Sequence, residues 1–399
     1  MEERQLIVGE YIDSYLPALD GVITAVRNYA YWLNRNHCEA YIASAAAPKD
    51  YEEADDVPVV RYKALPLKKR PPYRFGMPTL DRDFVKTEHL LAPDLVHLHT
   101  PFTAGLEGLR LAKTRKIPAI GSFHSKYYDD ALQVTRSRFL AQTTVELIAS
   151  FYERCDYVWA VNEGAAETLR QYGYKGALTI MPNGSDFIYP ADEETARREI
   201  DERFHLNPDE PLLLFVGQHI LQKNLPMILD AFALLKKENL PVQLMTVGAG
   251  YAADQLKQQA EKLGIADFVT FAGTVSDRAL LAKIYLRAAL FVFPSVYDNA
   301  PLVVREAAMA ACPSVLVAGS SAAEDFKHGY NVFLCQNNAQ SLADTIKDAL
   351  SNEERRRSVG LCAQKTIARS WESVIATVYE KYLEILDEYK GKTRGRSRK

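Results

Sequence analysis

"PLLLFVGQHILQKNLPMILDAFALLKKENLPVQLMTVGAG", residues Pro211 to Gly250, decides the fold. It opens on a run that is apolar at every position, breaks at Gly217, crosses a polar loop, and carries a helical pattern from Leu225 to Glu238. A second apolar run then ends on Gly248. A strand without polar alternation is covered on both faces, which is the condition of a parallel sheet wrapped by helices. The same grammar continues downstream in "FVTFAG", "LFVFPS" and "SVLVAG", with a helix expected over Tyr251 to Leu263. Upstream it is carried by "LIVGEY", "AYIASA", "VPVVRY", "DLVHLH", "IPAIGSF", "YVWAV" and "ALTIMP". Helical patterns between these runs cover Val22 to Asn34, Ala104 to Arg115 and Glu163 to Tyr172. The expected class is α/β, with two doubly wound parallel-sheet domains in sequence.

A chain of 399 residues is also too long for one core of ordinary size. The stretch "NGSDFIYPADEETARREIDERFHLNPDEP" is polar and has no strand signal, so the boundary falls there. Residues 1–188 form the first expected domain and 189–369 the second. A helix over 370–390 packs back on the first domain, and a basic tail fills 391–399. The net charge of -3 does not suit a bulk nucleic-acid binder. Five scattered cysteines suit reduced thiols, not a disulfide framework or a zinc site. The N-terminus lacks a signal-peptide core, and no apolar run nears the roughly 18 residues that span a bilayer. The expected place is the cytoplasm. The tail "KGKTRGRSRK", with six basic residues and no acid, leaves open the inner face of the plasma membrane.

Two such domains imply a cleft at the carboxyl ends of their strands, where open α/β sheets bind ligands. Several strands end on glycine there: Gly217, Gly248, Gly250 and Gly273. Glycine lets a phosphate approach the backbone, and the next helix offers its first amides to an anion. Lys223 stands just before a helix, where it can neutralise a diphosphate. "FPSVYDNAPLVVREAA", Phe293 to Ala308, sets two acids, Asp298 and Glu306, with seven residues between them, at a loop and a helix.

Together with "GVITAVRNYAYWLNRNHCEAYIAS", "DLVHLHTPF", "SFHSKY", "MPNGSDF", "FVGQHILQKN", "FAGTV" and "SSAAEDFKHGYNVFL", these pieces resemble family 4 of the retaining glycosyltransferases, over nearly the whole chain. That family has the GT-B fold, two Rossmann-like domains facing a cleft. The resemblance implies that a nucleoside diphosphate sugar binds mainly in the second domain and that its hexose passes to a hydroxyl held by the first. It implies that Glu306 accepts from the ribose hydroxyls and that Asp298 contacts the donor sugar, with the amides of Asn299 and Ala300 against the sugar or its phosphate. Lys223 resembles the base that stabilises the leaving diphosphate, and Gly21 the glycine of the loop after the first strand. His124 resembles the histidine at the reacting centre, with Asp20 and His99 on the acceptor side. Two positions depart from the family pattern. Gln218 follows Gly217 where the family has arginine, unless His219 or another base compensates, and Asp298 replaces glutamate, with "NAP" after it.

No cofactor and no metal are expected beside the donor. Asp81-Arg82-Asp83 has an Asp-x-Asp form but lies away from a nucleotide-binding strand end. His97 and His99 share a strand face without an evident third ligand. "LPALDGV", "HTPF" and "SAAED" resemble the branch that glucosylates diacylglycerol or other lipids, and a UDP-linked donor is expected with it. "YKALPLKKRPPYRF", Tyr62 to Phe75, is then an interfacial element, with Lys68, Lys69, Arg70 and Arg74 toward anionic headgroups, or else a Pro-rich surface loop. The rival readings are a cell-wall or capsular polysaccharide transferase, a sugar-nucleotide epimerase, and a non-catalytic sugar-nucleotide-binding protein.

Overall fold

The computed structural model describes residues 5–53, 56–67, 73–187, 189–190, 192–324 and 326–396, with side chains as far as residue 391. The chain divides into two units, Met1–Asn183 with Trp371–Lys399, and Gly184–Ser370.

Unit 1 is built on a seven-stranded sheet from β1 (Ile7–Tyr11), β2 (Glu39–Ala45), β3 (Val59–Tyr62), β6 (Leu95–Leu98), β7 (Ala119–Phe123), β8 (Tyr157–Ala160) and β9 (Thr179–Ile180). Between β3 and β6 lies an antiparallel hairpin of β4 (Ala64–Pro66) and β5 (Arg74–Gly76). The large sheet is parallel throughout, in the order β3-β2-β1-β6-β7-β8-β9. Its helices are α1 (Gly21–Asn36), α2 (Arg82–Leu91), α3 (Thr103–Arg115), α4 (Tyr127–Thr135), α5 (Arg138–Tyr152) and α6 (Glu163–Gln171). Their starts are set by side chains that accept from first-turn amides: Asp20 for α1, Asp81 for α2 and Asn162 for α6. Asp81 also accepts from the amide of Lys63, so the Asp-x-Asp stretch serves as a cap and a strap. The order reverses at β1 and β6, which opens a crevice at the carboxyl ends of those two strands.

Unit 2 holds a six-stranded parallel sheet of β10 (Leu212–Val216), β11 (Gln243–Val247), β12 (Val269–Gly273), β13 (Leu290–Phe293), β14 (Ser314–Val317) and β15 (Phe333–Cys335), in the order β12-β11-β10-β13-β14-β15. Its reversal falls between β10 and β13. The helices are α7 (Glu193–Phe204), α8 (Leu225–Lys237), α9 (Ala253–Lys262), α10 (Arg278–Arg287), α11 (Leu302–Met309), α12 (Ala339–Ser351) and α13 (Glu353–Thr366). β10 is buried at all five positions, as its unbroken apolar run requires. The stretch expected to link the domains carries α7, which is tied to α10 by ion pairs of Asp201 with Arg287 and Glu199 with Lys283.

α14 (Trp371–Arg396) belongs to unit 1 and packs on α1. Trp371, Val374, Ile375, Val378, Tyr382 and Ile385 recur at helical spacing and are all buried. The helix continues to Arg396, past the end expected at residue 390, and the last three residues of the tail lie outside the described residues. Lys68, Lys69 and Arg70 also lie outside them.

Candidate functional site

The reversal in unit 2 brings together the loops that follow β10 and β13. The first passes through a 3-10 turn, Leu221–Lys223, into α8, and the second runs from Pro294 into α11. Lys223 Nζ forms an ion pair with Asp298 Oδ1, so residues 75 apart in sequence meet at one strand edge. Ser295 Oγ donates to the other oxygen of Asp298 at 2.6 Å. The ammonium also lies 5.6 Å from the centre of the Phe293 ring and 5.9 Å from that of Tyr297. Both helices begin without a side-chain cap, α8 at Asn224 and α11 at Pro301. Both helix starts, with the positive end of each helix dipole, follow directly on the loops that carry Lys223 and Asp298.

One turn into α11, Glu306 is buried and holds two side-chain partners. Arg278 Nη1 donates to Oε1 at 2.9 Å, and Tyr285 OH donates to Oε2 at 3.0 Å. A third tie, from Tyr189 OH to the backbone carbonyl of Glu306 at 2.9 Å, fixes the helix turn itself. Arg278 lies over Phe187 with its guanidinium carbon 4.0 Å from the ring centre. An ionised carboxylate offers about four lone-pair directions, so two remain for further donors.

The glycine loops beside this corner have a steric origin. A Cβ on Gly248 would lie 1.9 Å from the carbonyl oxygen of Gly217, and one on Gly250 would lie 2.4 Å from that of His219. Gly217 and His219 donate to the carbonyls of Val247 and Ala249 at 2.9 Å, which zips the two loops together. His219 is buried to 2% exposure, and burial holds its pKa below the ordinary value with the Lys257 charge adding to the effect. Of the bases left open as a substitute for the missing arginine, His219 is a buried imidazole whose charged form burial disfavours, which makes it a poor cation for a phosphate. Gln218 is exposed on the same loop.

In unit 1 the reversal at β1 and β6 carries a buried polar cluster. The register pairs Glu10 with His97, and His99 follows two residues on, on the same face. Glu10, His97 and His99 are each 0% exposed. Glu10 Oε2 lies 2.6 Å from His99 Nε2, and His99 Nδ1 lies 3.0 Å from His124 Nε2. His97 Nδ1 lies 2.6 Å from Tyr382 OH on α14, and its Nε2 lies 2.7 Å from Ser122 Oγ. Tyr382 OH donates to Glu10 Oε1 at 3.2 Å. Tyr29 meets both inner histidines edge-on at 5.3 Å, and Trp159 stacks on Tyr382. Burial drives Glu10 well above the ordinary carboxylate range and His97, His99 and His124 below the ordinary imidazole value. Burial thus disfavours the charged form of every member of the cluster.

Glu10 is the third neighbour that the sequence did not reveal for His97 and His99, and these three could offer ligand atoms to a metal. Their spacing is that of hydrogen bonds. Two ligands about 2.1 Å from one tetrahedral zinc stand roughly 3.4 Å apart, whereas Glu10 Oε2 and His99 Nε2 are 2.6 Å apart. Both nitrogens of His97 are already engaged by Tyr382 and Ser122.

A glycosyltransferase family 4 model matches residues 19–187, and a model described as glycosyl transferases group 1 matches residues 196–366. The chain belongs to glycosyltransferase family 4. The transferase is 26% identical over 315 residues to an alpha-monoglucosyldiacylglycerol synthase of Streptococcus pneumoniae, covering 77% of this chain and 70% of that one. It is 22% identical over 318 residues to the enzyme of the same name from Acholeplasma laidlawii, covering 77% and 79%. Among solved structures, sucrose-phosphate synthase from Thermosynechococcus elongatus superposes with a TM-score of 0.79 at 19% identity, covering 96% of this chain and all of that one. Anabaena HepE in complex with UDP-glucose superposes at 0.74 with 19% identity and the same coverage. The transferase has the GT-B fold.

Of the residues expected at its donor site, Lys223, Asp298, Asn299, Ala300 and Glu306 gather at the β10 and β13 edge, with Gly217, Gln218, Gly248 and Gly250 on the loops beside them. Asn299 and Ala300 lead directly into α11. Gly21 is the first residue of α1 and not a loop residue, and a Cβ there would meet nothing within 4 Å. Asp20 caps that helix at 2.9 Å and takes a hydrogen bond from Tyr73 at 3.1 Å. His99 is corrected from a lining position to a buried one behind His124, which is half-buried. A depression of about 480 Å³ between α7 and α10, lined by Glu199, Arg203, Asp277 and Lys283 among others, contains none of these residues.

Proposed function

We propose that this glycosyltransferase moves a hexose from a UDP-linked donor, with retention at the anomeric carbon, to a hydroxyl of a diacylglycerol-type membrane lipid. The observation that carries the donor half is the Lys223–Asp298 pair beneath two uncapped helix starts, with Glu306 one turn away. In this reading the diphosphate displaces Asp298 as the partner of Lys223, and the first amides of α8 and α11 add to the positive field. Asp298 turns to the sugar hydroxyls, and the two remaining lone-pair directions of Glu306 take the ribose hydroxyls. The acceptor oxygen bonds to the anomeric carbon on the face from which the diphosphate leaves. The electron pair of the broken bond stays on the departing phosphate oxygen, which takes the acceptor's proton. Positive charge held in place at that oxygen lowers the barrier without reorganisation.

Two relatives named as glucosyldiacylglycerol synthases support the lipid half, as does the surface of unit 1. The hairpin β4–β5 and the turn after it expose Leu65, Phe75, Met77 and Leu80. The α4–α5 pair exposes Val134, Phe139, Leu140 and Leu147, with Arg136 and Arg138 beside them. Apolar side chains flanked by basic ones suit the headgroup boundary of an anionic bilayer. None of the described helices is long and apolar enough to cross a membrane. The test is transfer from labelled UDP-glucose to diacylglycerol in vesicles, with the anomer of the product read by NMR. A β-linked product rejects retention, and transfer to a water-soluble glycan with none to lipid rejects the lipid acceptor.

A further inference from the structure

We propose that Tyr251, on the loop between β11 and α9, is a positioning residue for Lys223: its hydroxyl caps the 3-10 turn Leu221–Lys223 and so sets where the ammonium stands toward the leaving diphosphate. The inference rests on the reading above in which Lys223 holds that diphosphate. Tyr251 acts through the lysine, and every residue in the argument belongs to unit 2.

Donor and acceptor accounting at the turn carries the proposal. A helical turn leaves its first amides without partners, and a side-chain oxygen on the preceding residue ordinarily supplies one. Here that residue is Ile220, which has no such oxygen. The Leu221 amide donates instead to Tyr251 OH at 3.2 Å, across 30 residues of sequence. The single hydrogen of that hydroxyl goes to Gln222 Oε1 at 2.7 Å. One oxygen thus grips two consecutive residues of the turn, and Lys223 is the next.

The backbone brings the hydroxyl within reach. Beyond the two bonds that zip the loops, the amide of Ala252 donates to the carbonyl of His219 at 2.9 Å. The close approach at Gly250 then sets the next residue, Tyr251, beside the turn. The far end of the turn is held separately, by Asn224 Nδ2 donating to the Pro294 carbonyl at 3.3 Å and to Asn337 Oδ1 at 3.1 Å. Lys223 stands between these two anchors, and its ammonium pairs with Asp298. The Tyr251 residue is 63% exposed, so core packing does not account for a tyrosine at this place, whereas its hydroxyl is committed twice to the turn.

The experiment compares full-length wild type, Tyr251→Phe, Lys223→Ala and the double variant, by kcat and KM for UDP-glucose with diacylglycerol vesicles and by UDP affinity from titration calorimetry, which needs no acceptor. Hydrogen exchange of the Leu221 amide is followed by NMR in wild type and Tyr251→Phe. Tyr251→Phe keeps the exposed ring and removes only the hydroxyl. Its kcat is expected to fall about tenfold with little change in KM, and its UDP affinity about threefold, while Leu221 exchanges roughly tenfold faster. In the Lys223→Ala background the same change is expected to move neither kcat nor UDP affinity, because an effect carried by the lysine vanishes with it. Equal losses in both backgrounds, wild-type kcat and UDP affinity in Tyr251→Phe, or equal Leu221 exchange in the two proteins overturns the proposal. Wild-type kcat and UDP affinity in Lys223→Ala refutes instead the reading of Lys223 as the partner of the diphosphate, and the proposal falls with it.

Discussion

Replacing Lys223 by alanine separates what the Lys223–Asp298 pair does for the fold from what it does for turnover. The two side chains are 15% and 17% exposed, so the pair is neither a surface bridge nor a fully dry one. At an effective dielectric near 20 and a separation of about 3 Å the gross attraction is roughly 5 kcal/mol, most of it offset by dehydration. The net loss should be that of a charged hydrogen bond, about 2 kcal/mol. For a unit of this size such a loss lowers Tm by roughly 4–8 °C. Removing one stabilising charge from a leaving group costs somewhat more, about 10²–10³ in kcat or about 2.7–4 kcal/mol. Lys223→Ala/Asp298→Ala removes both charges, so it should recover most of the lost Tm while kcat stays low. Calorimetry on the three variants, with initial rates at saturating UDP-glucose, makes the comparison. A kcat for Lys223→Ala within threefold of wild type would refute the reasoning, whatever happens to Tm.

Arg278→Ala frees Glu306 from its guanidinium partner and should weaken UDP binding about tenfold by titration calorimetry, as a charged hydrogen bond does, with kcat little changed. An unchanged affinity would mean that Tyr285 alone orients the acid. Glu88, fully buried, is raised by burial to about 8, so the folded protein holds this proton while the unfolded chain releases it near its ordinary value. Stability is therefore full below that ordinary value and falls by about 1.4 kcal/mol per pH unit until the pH passes the folded value. Glu88→Gln should flatten that fall in denaturant melts between pH 5 and pH 9, and parallel slopes in the two proteins would disprove it. Exchanging Phe139 and Leu147 for serine should reduce pelleting with anionic vesicles at both low and high salt, because the lost attraction is apolar. Pelleting equal to wild type would remove α5 from the membrane surface.

The alternation of apolar runs and helical patterns announced both parallel sheets, because a strand covered on both faces leaves no polar position to disguise it. β10 and β13 are buried at every residue. Lys223 and Asp298 could be found because each lies next to a strand end, where topology gathers loops. Glu10 was harder to see. It is a single acid inside "IVGEY", and the only hint was that a polar residue within a strand sheathed on both sides must find a partner. The partners come from β6 and, across 372 residues, from α14, a separation that no local pattern encodes. Arg278 follows a helix cap and reads as an ordinary first-turn residue until Glu306 is placed beside it. The glycines at 248 and 250 were legible as close approaches, but the approaching group is the neighbouring loop's backbone.

The return of α14 to unit 1 has a consequence for the order in which the molecule is made. Tyr382 and Trp371 are synthesised after all of unit 2, so at about 5–20 residues per second the first unit waits on the order of 10–40 s for them. During that interval Glu10 and His97 lack their tyrosine, and the face of α1 that will meet Trp371 is uncovered. The early-made half is thus a client for chaperones until the last helix docks, while the later-made half can complete its core on emerging. A messenger cut short within α14 would yield a complete second unit attached to a first unit that never closes.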